Sequence, residues 1–265
     1  MNIQINISSK LEINKLSRLH NESTIFFCKT DYILEDFKII SQLNNDVVFI
    51  TGNSDYAITD KLVSLAPSNI KKWYCQNAVS NYDIIEPLPI GLENKEESLR
   101  NGHGIAYPER ADFKEALINR AQKIKSKIYD KIYANFNIYT NPYHRGLIKE
   151  LCVGADHIAW DEWCDDLDKY YTKLVDYDMI LCPAGNGIDT HRLWEMLYCN
   201  KIPIVIKLGN YKIYELYQQL PIILLDNIKD IKNYSIINNK YIESQKNKNN
   251  LYLLNINYWI YKILN

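Results

Sequence analysis

Residues 179–205 read MILCPAGNGIDTHRLWEMLYCNKIPIV, and this stretch decides the fold class. An apolar run through Leu181 leads into a loop with two glycines, then a helix pattern, and then a second apolar run from Ile202. Because both apolar runs are continuous, they are typical of strands that are covered on both faces of a parallel sheet. The order of strand, loop, helix and strand therefore predicts a βαβ unit and an α/β fold.

The same alternation of short apolar runs and helix patterns extends along most of the chain. Strands are predicted at 24–29, 46–52, 71–77 and 85–91 and again at 131–138, 157–162, 178–185, 202–207 and 221–226. Helix patterns lie at 32–43, 59–66, 108–127, 142–152, 165–175, 189–199 and 211–220. Right-handed crossovers between such strands give Rossmann-like, doubly wound units. We predict an N-terminal unit over 1–127 and a C-terminal unit over 128–265, which face each other across a cleft.

Composition indicates an ordinary soluble protein. The chain has 265 residues with a formal net charge of −1, so no global field draws it to nucleic acid or to an anionic membrane. Its six cysteines show no C-x-x-C and no metal-like spacing, which favours reduced thiols in a cytoplasmic protein. The first residues carry no signal-peptide pattern, and no apolar run reaches the length of a membrane span. The sequence leaves the oligomeric state open.

The last residues, 239–265, form a helical and aromatic tail. Packing of this tail back onto the N-terminal unit is the first interpretation. The alternative is a peripheral contact with a membrane that carries a lipid-linked substrate.

The glycine loop at 185–187 follows a predicted strand and precedes a predicted helix. Ligands of doubly wound sheets bind at this end of the strands, where helix N-termini present free N–H groups. Gly185 and Gly187, on either side of Asn186, lack side chains and would let a phosphate approach the backbone amides. Asp189 and Thr190 are candidate caps of the helix. The alternative is an ordinary glycine turn.

The first two turns of this helix carry His191, Arg192 and Glu195. Cations in a first turn oppose the helix dipole, so their presence indicates a bound anion. Glu195 shares a face with His191 at i+4, and a glutamate in an apolar helix needs a partner. That partner is either Arg192, in a salt bridge at i−3, or a pair of ribose hydroxyls. The ribose reading, beside an arginine that holds a diphosphate, fits a nucleotide sugar.

Residues Cys182–Val205 resemble the donor-site signature of exostosin-like glycosyltransferases of the GT-B fold, whose general pattern is cPrGnGiDThRxWEaLxxGxIPIV. Weaker similarity extends to 133–148 and to parts of 50–93. The resemblance implies a nucleotide-sugar donor, with Glu195 on the ribose and with Arg192 and the glycine loop on the diphosphate. It implies a GT-B fold of two Rossmann-like units.

Two departures from the family pattern affect the donor site. Ala184 stands where the family frequently has arginine or lysine, and Asn200-Lys201 stand where it frequently has Gly-Cys. Arg145, in the first turn of the helix after Pro142, is our candidate for the missing phosphate contact. Asn137, in the preceding loop, offers further hydrogen-bonding groups, and an ordinary polar loop is the alternative. Asp161, Glu162 and Trp163 lie at the end of another predicted strand and are candidates for base contacts, with helix capping by Asp165 or Asp166 as the alternative.

An inverting transferase needs a general base that takes the proton of the acceptor hydroxyl. Asp55, after the second predicted strand, is the first candidate, with Asp31 and His103 behind it. An Asx turn that caps the next helix is the alternative for Asp55. The D-x-D triplets at 166–168 and 176–178 lie in a helix and before a strand, so we interpret both as structural and expect no metal and no cofactor.

The predicted function is a glycosyltransferase that moves a sugar from a nucleotide-diphosphate donor to a hydroxyl of a glycan or lipid-linked acceptor, with inversion. The alternative is a catalytically inert protein of the same fold that binds nucleotide or carbohydrate. A dinucleotide-dependent oxidoreductase is disfavoured, because the G-N-G triplet lacks the full G-x-G-x-x-G and lies far from the first βαβ unit.

Overall fold

The structure, a computed structural model, describes residues 9–97 and 108–265. Within these residues, strands form two parallel sheets, which confirms the α/β class. The first sheet contains β1 (Ile25–Lys29), β2 (Val47–Gly52), β3 (Ile70–Cys75) and β4 (Ile85–Pro87). The second contains β5 (Ile128–Ala134), β6 (Ile158–Trp160), β7 (Tyr177–Leu181), β8 (Ile202–Ile206) and β9 (Ile223–Leu225). Each strand overlaps one of the predicted ranges.

Helices connect and cover these strands. The α-helices are α1 (Ile33–Ile40), α2 (Asp60–Val63), α3 (Pro108–Ala121), α4 (Pro142–Cys152), α5 (Leu167–Leu174), α6 (His191–Tyr198), α7 (Ile213–Tyr217), α8 (Tyr234–Ser244) and α9 (Ile256–Leu264). Segments of 3₁₀ helix span Ile13–Leu19, Thr30–Tyr32, Ile138–Thr140, Ile228–Lys232 and Gln245–Leu254. Helix α4 begins at a proline, and the side chain of Asn141 accepts from the backbone N–H of His144, which gives this helix a side-chain cap.

The two sheets differ in strand order. The second sheet runs β6-β5-β7-β8-β9, so its order reverses between β5 and β7, as in a doubly wound fold. In the first sheet the described strands follow the chain order β1-β2-β3-β4, with no reversal. The doubly wound prediction therefore holds for the second sheet and not for the described part of the first. The reversal gives the second sheet a switch point at the carboxyl ends of β5 and β7.

Neighbouring residues of the central strands are buried in different hydrophobic clusters. Ile132 and Met179 belong to a smaller cluster, whereas Tyr133 and Ile180 belong to a larger one. The second sheet is thus covered on both faces, which explains its continuous apolar strands. The larger cluster also includes core residues of the first sheet, such as Trp73, so the two halves share buried apolar surface.

The C-terminal helix α9 lies against the first sheet. The hydroxyl of Tyr74 in β3 donates to the carbonyl of Lys262 at 3.0 Å, and the Lys262 amine contacts Glu86 of β4 at 2.8 Å. Trp259 is 1% exposed. Among residues 9–97 and 108–265, no helix combines the length and the apolar character that crossing a membrane requires.

Candidate functional site

The loops that follow β5 and β7 are fastened to each other at the switch point. Arg145 of α4 donates from Nε to the carbonyl of Ala184 and from Nη1 to the carbonyl of Asn137, both at 2.8 Å. Asn141 donates to the carbonyl of Gly185 at 3.0 Å. Ligands of doubly wound sheets bind at such a switch point, so these bonds hold the two loops where a ligand is expected.

Arg145 is committed to backbone carbonyls. It is 7% exposed, lies over the ring of Phe136 and also donates to the carbonyl of Pro183. Burial, and then the nearby charge of Arg192, lowers the pKa of Arg145 to about 10. In the described residues it has no acidic partner. The bonds it makes indicate that it positions the loops, whereas the sequence suggested a direct phosphate contact.

The glycine loop is closed on itself and packed against the first half of the chain. The amide of Gly185 donates to the carbonyl of Gly187 at 3.0 Å, so this amide already has a partner. A Cβ on Gly187 would lie 2.9 Å from Oδ1 of Asn77, which follows β3. The residue between the two glycines, Asn186, is exposed. Close packing accordingly explains the glycine at 187.

Asp189 is a buried acceptor and does not cap α6. Its carboxylate accepts from the amide of Ile90, from Trp194 Nε1 and from the hydroxyl of Tyr217, each at 2.7 Å. Burial raises its pKa to about 6, although these bonds favour the charged form. Thr190 stands at the cap position without a side-chain cap bond. A side-chain cap by Asp189 or Thr190 was predicted, and this prediction is wrong. The Asp189 carboxylate is instead bound by Ile90, by Trp194 of α6 and by Tyr217 of α7.

Arg192 of α6 points its guanidinium at the end of β5. It donates to the carbonyl of Asn135 and lies 4.9 Å from the ring centre of Tyr170. Burial would lower the pKa of Arg192, but Tyr170, Cys182 and Glu195 together keep it above its usual value. Across residues 9–97 and 108–265, no carboxylate pairs with it. Arg192 is thus a charged donor whose remaining N–H groups lack an anionic partner.

Glu195 pairs with a lysine of a different helix. Lys114 of α3 donates to Glu195 at 2.9 Å and to Glu93 at 2.7 Å, and the hydroxyl of Tyr171 lies 3.4 Å from the second carboxylate oxygen. Glu195 is 5% exposed. Burial would raise its pKa, but the charge and hydrogen bond of Lys114, and then His191 and Arg192, bring the pKa below its usual value. The alternative interpretation, a salt bridge between Glu195 and Arg192, is therefore wrong, because the ion pair of Glu195 is with Lys114.

A pocket at the switch point brings together two of the predicted donor residues, Arg192 and Glu195, whereas the glycine loop, Asp189, Thr190, His191, Arg145 and Asn137 are not part of its lining. Its cavity volume is about 120 Å³, and it opens to solvent. The side chains of Arg192 and Glu195 have different partners, because Arg192 contacts Asn135 and Tyr170. Glu195 contacts Lys114 and Tyr171. The lining includes Arg110, Lys114, Asn135, Trp163, Tyr170 and Tyr171. Trp163 was predicted here, whereas Arg110 and Lys114 of α3 were not.

His191 joins the two halves of the chain next to this pocket. Its Nδ1 lies 2.8 Å from the carbonyl of Gly91, and because a carbonyl only accepts, Nδ1 carries the proton. Burial and then the charge of Lys114 lower the pKa of His191, although Gly91, Glu195 and Glu93 oppose them. The neutral imidazole therefore leaves Nε2 as an acceptor.

The three predicted base candidates have different surroundings. Asp55 is exposed and follows Ser54, whose carbonyl accepts from Asn77, the residue packed on the glycine loop. Thr59 caps α2, so the alternative that Asp55 caps this helix is wrong. Asp31 lies 3.3 Å from the amine of Lys29, at the end of the outer strand β1. His103 lies outside the described residues.

The other polar candidates mostly have structural partners. Asn137 caps the 3₁₀ turn at Ile138–Thr140, and Asp166 caps α5. Asp168 contacts Arg120 at 2.8 Å, and Asp161 contacts Lys173 at 2.6 Å. The remaining partners are Lys149 for Glu162, Lys127 for Asp176, and Ser126 and Tyr241 for Asp178.

No protein-family model matches the chain, and no curated protein matches it. The pocket at the switch point and the residues that form it are therefore the features that bear on function.

Proposed function

We propose that the chain is a glycosyltransferase with a GT-B-like arrangement of its two halves. It would transfer a sugar from a nucleotide-diphosphate donor to a hydroxyl of a glycan or lipid-linked acceptor, with inversion and without an essential metal. One observation carries the proposal. Arg192, which lacks an acidic partner among the described residues, lines the same switch-point pocket as the buried carboxylate Glu195.

The donor side follows from these two groups. A guanidinium without an anionic partner favours a phosphate, which it can bind through two parallel N–H bonds. The Glu195 carboxylate has about four lone-pair directions, of which Lys114 and Tyr171 use two. The others are available for the two hydroxyls of a ribose. Fixed cations of this kind stabilise the charge that develops on a leaving nucleoside diphosphate.

The acceptor side is assigned to the first half of the chain. Asn77 joins the Ser54–Asp55 loop to the glycine loop, because it donates to Ser54 and accepts from the amide of Asp189. We keep Asp55 as the first candidate for the general base, with Asp31 and His103 as further candidates. A carboxylate at this junction would accept the proton as the acceptor hydroxyl attacks the anomeric carbon.

The proposal of a metal-independent reaction rests on the partners of the acidic triplets. Asp166 caps a helix, and Asp176 and Asp178 have partners at the start of β7, at the edge opposite the pocket. The positive charge at the donor pocket comes from arginine and lysine side chains.

Nucleotide binding tests the proposal directly. A thermal-shift screen of nucleoside diphosphates and nucleotide sugars, in buffer with EDTA, should identify at least one ligand that raises the melting temperature. Glu195→Gln should then raise the dissociation constant of that ligand about tenfold or more, as measured by calorimetry, because the amide replaces one acceptor oxygen by a donor.

Glu93→Gln is the matched control, because it alters the other carboxylate that pairs with Lys114. Equal losses of ligand affinity in the two variants would mean that Glu195 acts only through Lys114, and this result would contradict a ribose contact by Glu195. Ligand binding without sugar transfer or slow hydrolysis for any donor would favour the inert alternative. A screen without any stabilising nucleotide would overturn the proposal.

A further inference from the structure

Helix α3 contributes two basic residues to the switch-point pocket. Arg110 and Lys114 are four residues apart, so they lie on one face of the helix, and both line the pocket that also contains Arg192. The charge of Lys114 is compensated by Glu93 and Glu195. Arg110 is exposed, and it makes no ion pair or side-chain hydrogen bond with the part of the chain that the structure describes.

The side chains that line the pocket carry an excess of positive charge, since Glu93, the second partner of Lys114, lies outside the lining. Lys114 and Glu195 neutralise each other, and Asp165 is the other acidic residue in the lining. Two guanidinium groups, Arg110 and Arg192, therefore oppose one carboxylate. A second anionic group from a ligand would balance them, and guanidinium groups prefer planar, two-point contacts with phosphate oxygens.

Tyr170 gives independent evidence for a missing acceptor in this pocket. It is 6% exposed and lines the pocket, and its ring carries the Arg192 guanidinium. Within residues 9–97 and 108–265, its buried hydroxyl has no hydrogen-bond partner. Burial raises the pKa of Tyr170, so the hydroxyl keeps its proton and remains a donor. A buried donor without a partner is costly, and a phosphate oxygen would satisfy it.

We propose that α3 forms one wall of a diphosphate site, in which Arg110 binds the diphosphate opposite Arg192 and the Tyr170 hydroxyl donates to it. This inference rests on the proposed function for the identity of the ligand as a nucleoside diphosphate. It adds a phosphate-binding residue from outside the glycine loop and its helix. Helix α3 would then order both donor groups, since Lys114 on the same face holds Glu195.

Calorimetry with inorganic pyrophosphate tests the site without knowledge of the base. Arg110→Ala should raise the dissociation constant about tenfold, and Tyr170→Phe should raise it by a smaller factor while it keeps the ring under Arg192. Lys123→Ala is the matched control, because it removes one exposed cation just beyond the end of α3. Arg110 and Lys123 are both exposed, so both variants should keep the melting temperature of the wild type.

The double variant Arg110→Ala/Arg192→Ala should lose less affinity than the sum of the single losses, because both residues bind one group. Equal affinities for Arg110→Ala and the wild type, or equal losses for Arg110→Ala and Lys123→Ala, would overturn the α3 site while Arg192→Ala still weakens binding. A wild type that binds neither pyrophosphate nor any nucleotide would overturn the proposed function as well.

Discussion

Arg145 and Arg192 show how surroundings separate two arginines at one switch point. Arg145 gives three N–H groups to the carbonyls of Asn137, Pro183 and Ala184 and so satisfies buried backbone acceptors of both loops. Arg192 donates one N–H group to the carbonyl of Asn135, and its guanidinium also packs on the ring of Tyr170. We infer that the first arginine builds the site and that the second remains available to bind.

The imidazole of His191 should make stability depend on pH. Histidine in an unfolded chain titrates near pH 6.5, whereas burial and Lys114 lower the pKa of His191 in the folded chain. Below about pH 6.5 the unfolded chain therefore binds more protons, and the folded state loses stability as the pH falls. His191→Asn keeps a donor near the position of Nδ1 and does not titrate.

The melting temperature of His191→Asn should accordingly fall less than that of the wild type between about pH 7.5 and 5.5. Titrating groups that do not interact with His191 are common to both proteins and cancel in the comparison. Parallel curves for the two proteins would show that His191 titrates as it does in the unfolded chain.

At the scale of helices and strands, local patterns predicted the elements but not their partners. Helix α4 spans Pro142–Cys152, the predicted range, because its proline, its asparagine cap and its apolar spacing are all local signals. The partner of Glu195 is different, because Lys114 is 81 residues away and nothing in either segment specifies which helix faces meet. The strand order of the second sheet could not be predicted for the same reason, because strand patterns alone do not specify that β5 pairs with both β6 and β7.

The same limit applies to the candidate site. Arg192 and Glu195 were predicted together because one helix carries both, and they line one pocket. Arg110 and Tyr170 were missed, because a basic residue and a tyrosine in amphipathic helices have no local mark of function. Asp189 was misassigned because a cap is a local role, and its actual donors come from tertiary packing.

Helix α9 should stabilise the fold through Trp259, which is 1% exposed and donates to the carbonyl of Leu253. Trp259→Ala should lower the free energy of unfolding by about 3–5 kcal/mol, since it leaves a large cavity. Tyr261→Ala is the matched control on the same helix, because Tyr261 is 68% exposed. Its effect should stay within about 0.5 kcal/mol. Urea denaturation of both variants measures the difference, and similar small losses would contradict a bracing role of α9.

At the scale of the whole molecule, the polar contacts around the glycine loop are one part of the junction between the two halves, beside their shared apolar core. Asn77 accepts from the amide of Asp189, Asp189 accepts from the amide of Ile90, and His191 donates to the carbonyl of Gly91. All three contacts join loops at the carboxyl ends of strands. The segment that contributes Arg192 and Glu195 to the switch-point pocket is therefore also a segment that contacts the first half, and changes at this junction should affect stability and binding together.

Asp189 is the centre of that junction, and Asp189→Asn tests it. Ile90, Trp194 and Tyr217 all donate to the carboxylate, so an asparagine directs its amide group at one of these donors. At about pH 7.5 Asp189 is ionised, because its pKa is about 6. The free energy of unfolding should fall by about 1–3 kcal/mol in urea denaturation at that pH. Asp166→Asn is the matched control, since Asp166 caps α5 and asparagine caps equally well. A loss no larger than that of the control would mean that the buried carboxylate does not hold the halves together.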